Sequence, residues 1–316
     1  MTSPARKHIL LILLSLALVV PVQPAGAEEV KASFLYALSD ATGTIPYNWV
    51  KLSVDPVKHE VYVVNPSDLT IRVFNDQGME VYSFGDDLSL GYVSDLAVDE
   101  HGDMLVLTLK GEKYSLARAN FRGDPKGTIE LKDFPPAYTE GFSPRTLVYR
   151  AGHIYLVDKE RMKVAVADGE GRFETGYDLA PLLKVEEKKR LETDMVGFSV
   201  DSQGNLLFTV PTTFTAGVLS PDGKLRTFGT KGSTPGRFNI VGGIAADDKG
   251  YIYVADTLRC VVMVFDREFT FKTEFGYRGI EPGNFIAPMD IVAMDGRVYV
   301  TQSRSRGVSV YRVSVT

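Results

Sequence analysis

Cysteine is almost missing from this chain. Cys260 is the only one in 316 residues, so no disulfide can form within the chain and stability has to come from a large apolar core. It lies in the run Cys260-Val261-Val262-Met263-Val264-Phe265, which predicts a buried, inert thiol rather than a reactive one. Long apolar runs are equally scarce. The one present, Ile9 to Val20, is interrupted by Ser15 and closed by Pro21 and Pro24, short of the roughly 20 residues a bilayer-spanning helix needs. With Arg6-Lys7-His8 ahead of it and the small residues Ala25-Gly26-Ala27 after it, the run predicts a secretory signal over residues 1–27, cleaved after Ala27. No Cys follows the run, which excludes a lipoprotein anchor, and no later run predicts membrane insertion of the mature chain.

Basic charge is in deficit as well. Without Arg6 and Lys7, 33 basic residues face 40 acidic ones, a formal charge of −7 for the mature 289 residues. An acidic, exported chain is a poor nucleic-acid binder, so no nucleic-acid partner is expected. The expected location is the periplasm or the exterior, and the expected state a monomer.

Repetition is what the chain has in abundance. Phe228-Gly229-x-x-Gly232-x-x-Pro235-Gly236-x-Phe238 recurs as Phe275-Gly276-x-x-Gly279-x-x-Pro282-Gly283-x-Phe285, 47 residues on. Each copy leads into an apolar strand, a Gly turn and a second strand. A period of this length built from short strands predicts β-propeller blades, because one four-stranded blade cannot bury both faces alone. The turn between first and second strands recurs at Gly102, Gly152, Gly204, Gly250 and Gly296, with Lys58-His59 in the same place in the first unit. Val61-Tyr62-Val63-Val64, Ile154-Tyr155-Leu156-Val157 and Val298-Tyr299-Val300 are second strands too continuously apolar to have a wet face.

The predicted fold class is therefore all-β, a six-bladed β-propeller over residues 28–316. The blades are expected at about 46–85, 92–131, 143–178, 195–229, 240–276 and 287–315. The last unit has three strands, and the N-terminal strand 31–39 is expected to pair with it and close the ring. The only helical pattern, Leu179 to Thr193, predicts a solvated surface helix inserted between blades three and four, supported by i,i+4 pairing of Glu186 with Arg190.

The Gly-x-x-Pro-Gly-x-Phe loop, then Gly243 to Thr257 ending in Tyr253-Val254-Ala255-Asp256-Thr257, then Val262-Met263-Val264-Phe265-Asp266, together resemble the NHL repeat. The likeness is strongest in blades five and six and thinnest in blade four, where Val210-Pro211-Thr212-Thr213-Phe214 replaces the usual strand ending. The resemblance implies six blades and a role as an interaction platform. It also implies that the Asp ending the second strand, matched by Asp158 and Asp256, caps the following loop through side-chain hydrogen bonds. Similar propellers include metal-dependent lyases and gluconolactonase-type lactonases, which place metal ligands around the channel mouth.

Three histidines remain in the mature chain, His59, His101 and His153. They fall on separate turns at the end of the channel opposite the usual site, so no shared metal centre is expected, and no cofactor is expected either. Counting back from the turn glycines aligns a column at the channel mouth: Lys51, Asp95, Thr146, Gly197, Gly243 and Asp290, with Ser94 and Arg145 one step earlier. Asp95 and Asp290 are candidates for cation binding or acid–base work, but Lys51 between them favours a structural ion pair. The loops between second and third strands share this face. They carry Lys110, Lys113, Lys159, Arg161, Arg259, Arg304 and Arg306 against Asp68, Glu112, Asp158, Glu160 and Asp256, an excess of two positive charges on an acidic body. The function read from this pattern is non-catalytic: an exported scaffold binding a protein partner or an anionic ligand through Lys51, Asp95, Arg145, Lys159, Arg161, Arg259, Asp290, Arg304 and Arg306. The alternative is a metal-dependent lyase or lactonase-type hydrolase at the same mouth.

Overall fold

Alternation in the second strands sets the architecture. Val61 and Val63 pack toward blade six, together with Tyr299, Val308 and Val310. The intervening Tyr62 and Val64 pack the other way, onto Leu96, Val98, Met104 and Val106 of blade two. Side chains on a strand point alternately to its two faces, so a strand apolar at every position buries both. The pattern repeats around the molecule, giving six apolar clusters, each shared by two adjacent blades.

A computed structural model describes residues 29–48, 50–55, 57–85, 90–110 and 113–316. The predicted leader lies outside the described residues. Blade one comprises Lys51–Asp55, Glu60–Asn65, Thr70–Phe74 and Glu80–Phe84. Blade two comprises Val93–Val98, Met104–Lys110, Lys113–Ala119 and Pro125–Ile129. In blade three the strands are Thr146–Arg150, His153–Asp158, Lys163–Asp168 and Phe173–Asp178. Blade four has Phe198–Val200, Leu206–Val210, Thr215–Leu219 and Leu225–Phe228. Blade five has Val241–Ala246, Ile252–Asp256, Val261–Phe265 and Phe271–Phe275. Each is an antiparallel meander, and each first strand lies against those of the neighbouring blades, lining a central channel.

Blade six is composite. Pro288–Met294, Arg297–Gln302 and Val308–Val315 are completed by the N-terminal strand Val30–Ala37, antiparallel to the last, in a register running from Val30 opposite Val315 to Ala37 opposite Ser309. The amide and carbonyl of Glu29 pair with those of Thr316 at 3.0 Å each. The expected closure is thus present, and the two termini protect each other's edge.

The repeated loop motif has a steric reason. Phe238 and Phe285 are fully buried, and each folds back beneath the glycine that opens its motif: a methyl group at Gly276 would strike the Phe285 ring, and one at Gly229 the Phe238 ring. In the turn between first and second strands, His59 takes φ 55°, the left-handed conformation that Gly102, Gly152, Gly204, Gly250 and Gly296 adopt in the other units.

The insertion between blades three and four departs from the expected helix. Leu179–Leu182 is one α-turn capped by Asp178, Glu187–Lys189 is a 3-10 turn, and Arg190–Thr193 is a second α-turn. Lys184 at φ 58° separates them. Arg190 is buried, not solvated. It donates to both carboxylate oxygens of Asp178 at 2.7 and 3.0 Å, to Glu187, and to the Arg161 carbonyl at 2.8 Å. The i,i+4 pairing expected of Glu186 is replaced by this clamp, because Leu179 and Ala180 tuck into the core between the two blades and carry Arg190 inward.

Among the described residues no helix is long and apolar enough to cross a membrane.

Candidate functional site

The six first strands enclose a channel cavity of about 580 Å³. Its middle is largely apolar, lined by Val54, Ala97, Val148, Val200, Ala246 and Val292, with the Ser53 and Ser199 hydroxyls among them. Charge collects at the two ends. Glu100, Arg150, Asp248 and Asp295 lie at the turn end, and Lys51, Asp95, Lys159 and Asp290 at the end where the first strands begin.

At that second end the chain makes a bulge in blades two, five and six, seen as register shifts between Val93 and Asp95, Val241 and Ile244, and Pro288 and Ile291. A bulge frees a backbone group and re-aims the next side chain. In blade six the freed Asp290 amide donates to Thr301 Oγ1 at 2.8 Å. Thr209 and Thr257 hydroxyls act similarly across blade boundaries, donating to the carbonyls of Gly242 at 2.6 Å and Pro288 at 2.8 Å. These hydroxyls hold the mouth in shape and were not singled out from the sequence. A Thr at or next to the end of a second strand was the available signal.

Asp95 is almost fully buried. Its Oδ1 accepts from the Leu96 amide and its Oδ2 from the Leu147 amide of blade three, both at 3.0 Å. Lys51 Nζ stands 3.3 Å from the same Oδ2 and also donates to the Arg145 carbonyl. The ion pair favoured for Lys51 is therefore formed, and it is shared among three blades. Arg145 itself is exposed, and its carbonyl also accepts from Ser94 Oγ at 3.2 Å.

Asp290 occupies the same place in blade six and makes the matching bond, accepting from the Ile291 amide at 3.0 Å. The parallel stops there, since no second amide reaches it. The charge acting on it most strongly is that of Lys159, and burial pushes its carboxyl above the usual range, with Lys159 opposing the shift and Asp95 reinforcing it. Lys159 follows the second strand of blade three, in a loop anchored by the Met195 amide donating to its carbonyl at 3.0 Å. Burial holds its ammonium below the usual lysine range, Asp290 opposing and Lys51 adding to the depression. Among the described residues, Lys159 has no side-chain hydrogen bond and no ion pair of its own.

The remaining loop charges divide into two kinds. Arg259 is engaged within the scaffold: largely buried, it donates from one guanidinium nitrogen to both Glu274 carboxylate oxygens at 2.6 and 2.8 Å. Asp158 and Asp256 are buried caps. Asp158 accepts from the Ser143 amide at 2.9 Å and the Arg161 amide at 3.0 Å, and Asp256 accepts from the amides of Asn239 at 2.6 Å and Arg259 at 2.9 Å. Gln302 does the same with a longer side chain, its Oε1 accepting from the Ile286 amide at 2.9 Å. Arg161 pairs with Asp158 at 3.3 Å. Arg304 is exposed, and Arg306 donates to the Ile280 carbonyl at 2.5 Å while staying part-exposed. Glu112 lies outside the described residues. The structure thus gathers Lys51, Asp95, Lys159 and Asp290 at one mouth, leaves Arg145, Arg161, Arg304 and Arg306 on its rim, and withdraws Arg259 into the scaffold.

A divalent cation does not fit this cluster. Hard cations want six or more oxygens, whereas both Asp95 oxygens are already bonded and two ammonium groups flank the remaining carboxyl. The histidines lie apart: His59 meets Asp295 at 2.5 Å and His153 meets Glu174 at 2.6 Å. Among the described residues no three His, Cys, Asp or Glu side chains are placed to hold a metal ion.

No protein-family model matches the chain, and no curated protein matches it in sequence. Solved structures do match in fold. A protein of unknown function from Bacteroides thetaiotaomicron superposes with a TM-score of 0.62 at 13% identity, over 91% of this chain and 76% of the other. Virginiamycin B lyase from Staphylococcus aureus gives 0.55 at 13% identity, over 85% and 83%. A gluconolactonase from Xanthomonas campestris gives 0.57 at 12% identity, over 90% of both chains. At such identities the likeness concerns the fold alone, and the chain is a six-bladed β-propeller with structural neighbours among propeller lyases, lactonases and proteins of unknown function.

Proposed function

We propose that this protein is an exported, non-catalytic binding scaffold of the NHL type that takes an anionic ligand, or an acidic group of a protein partner, into the channel mouth. The observation that carries this reading is Lys159, an amine lining the channel with no side-chain hydrogen bond or ion pair among the described residues, while its neighbours Lys51 and Asp95 satisfy each other. An unpaired amine in a water-poor site gains most from a ligand carboxylate, because attraction is strongest where solvent screening is least. Arg145, Arg304 and Arg306 on the rim would steer an acidic group toward it. Export rests on the N-terminal basic, apolar and small-residue segments.

A second reading, catalysis, draws on one observation: in one cavity burial moves the Asp290 carboxyl upward and the Lys159 amine downward from their usual ranges, each opposing the other's shift, a pattern found at functional sites. The cluster's donor set does not support the metal-dependent form of that reading.

The test is binding of succinate and of a fluorescein-labelled glutamate oligomer to the mature protein. Binding should weaken as salt rises. The triple variant Lys159→Glu, Arg304→Glu, Arg306→Glu should lose it, and Lys58→Glu at the far end of the ring should retain it. Equal binding by the triple variant, or loss in the control alone, overturns the assignment.

A further inference from the structure

Lys159 combines three features that ordinary surface lysines lack. It lines a cavity of about 580 Å³, its side chain has no hydrogen bond or ion pair among the described residues, and the charged neighbour acting on it most strongly is the Asp290 carboxyl, which accepts from the Ile291 amide. The contrast is Lys224, exposed and paired with Asp222 at 2.8 Å, which raises its basicity. The ionisable groups facing Lys159 are Lys51, Asp95 and Asp290; Glu100, Arg150, Asp248 and Asp295 line the opposite end, a strand length of roughly 17 Å away at about 3.3 Å per residue. An amine is a nucleophile only when unprotonated, and burial beside another cation favours that form.

We propose that Lys159 captures a small aldehyde or ketone bearing an apolar substituent as a reversible imine inside the channel. The amine nitrogen attacks the carbonyl carbon and the carbonyl oxygen takes up a proton, giving a carbinolamine. Asp290 supplies the acid proton that lets the carbinolamine hydroxyl leave as water, and the proton released from nitrogen returns to it. Nothing is oxidised or reduced, and hydrolysis reverses the sequence. The substituent would lie along Val54, Ala97, Val148, Val200, Ala246 and Val292, which offer apolar contact, while the other amine at this end, Lys51, is held by Asp95. This rests on the reading of the mouth as a binding site and specifies a ligand class that an ion-pairing site alone would not select.

The experiment exposes the mature protein to benzaldehyde with sodium cyanoborohydride at neutral pH and maps benzylated lysines by peptide mass. Lys159 should label at least tenfold faster than Lys224 and Lys249, and its rate should level off at lower pH than theirs. Asp290→Asn should slow it severalfold. Lys159→Arg removes the label yet keeps a cation, so succinate binding should persist in that variant. Labelling of Lys159 no faster than Lys224 overturns the inference, even with succinate binding intact. Selective labelling without any succinate binding would overturn the anion-binding reading and leave the imine standing. Circular dichroism of each variant checks that the ring is folded.

Discussion

The two halves of the ring join their first strands by different chemistry. Across blades one to three the seam is polar: Lys51 reaches Asp95, and Asp95 reaches the Leu147 amide. Across blades four to six it is glycine. A methyl at Gly197 would strike the Gly242 carbonyl, and one at Gly243 would come within 2.7 Å of the Ile291 amide. The backbones there approach so closely that these positions admit no side chain of their own, and the Thr209 and Thr257 hydroxyls reach across to the next blade's carbonyls. Where a side chain bridges the seam it is consumed in doing so, as Asp95 is. Where glycine seals the seam the bridges are neutral threonine hydroxyls rather than charges, and Asp290, at the far side of that half, accepts only from the Ile291 amide among the described residues. Lys159 enters from the loop of blade three and lines the same cavity. Among the charges at the mouth, Lys51 and Asp95 are bonded to each other, while Lys159 and Asp290 are under-bonded.

Four measurements break or sharpen this contrast. Deleting Val30 to Ala37 removes the strand that completes blade six and leaves its last strand unpaired, so the loss should be global. Thermal unfolding should show a midpoint many degrees lower, or no cooperative transition. An unchanged midpoint would mean the closing strand is dispensable.

Asp95→Ala should follow, costing about 3–5 kcal/mol as expected when one partner of a buried pair is removed. Asp290→Asn, at the matching position, should cost nothing or add stability. Equal urea midpoints for the two variants would dissolve the distinction between them.

Gly197→Ala tests the glycine seam. The added methyl meets backbone rather than a flexible side chain, and overpacking of this kind costs about 1–3 kcal/mol. Thr146→Ala, at the matching position of blade three, adds no atoms and should be milder.

The smallest effect concerns pH. Asp290 has a raised value in the folded protein, so the stability it contributes is complete below the ordinary aspartate value of about 4 and is lost as pH rises through the folded value. Lys159 has a depressed value, so its contribution is complete only above the ordinary lysine value of about 10.4 and is lost as pH falls through the folded one. Both groups are therefore a burden at neutral pH. The double variant Lys159→Met, Asp290→Leu should be more stable than the wild type there, because both replacements remove a group whose charged form burial disfavours. Its stability should also vary less between pH 4 and 10 than that of the wild type. Urea titrations across that range check both statements.

Much of the ring was legible because its cause is local. A period near 47 residues, glycine at each turn and unbroken apolar second strands state that every blade needs two neighbours, and the leftover N-terminal strand states how the ring closes. The capping Asp158 and Asp256 were legible for the same reason, since each bonds amides of loops adjoining its own strand. The helix between blades three and four misled because charge spacing reports i,i+4 neighbours only if the helix is continuous, and Lys184 in a left-handed conformation breaks it. Arg259 misled because a cation in a loop looks solvated until its partner on the outer strand, Glu274, is known.

The sequence alone determined that this is a closed ring of six blades, because strand period and turn glycines are properties of the chain. Only the tertiary structure decided that Asp95 is consumed and Asp290 is not, and that Lys159 points into the channel. Those outcomes depend on which amides and ammonium groups three different blades bring within hydrogen-bond reach, and burial and bonding across blades are set by the ring as a whole.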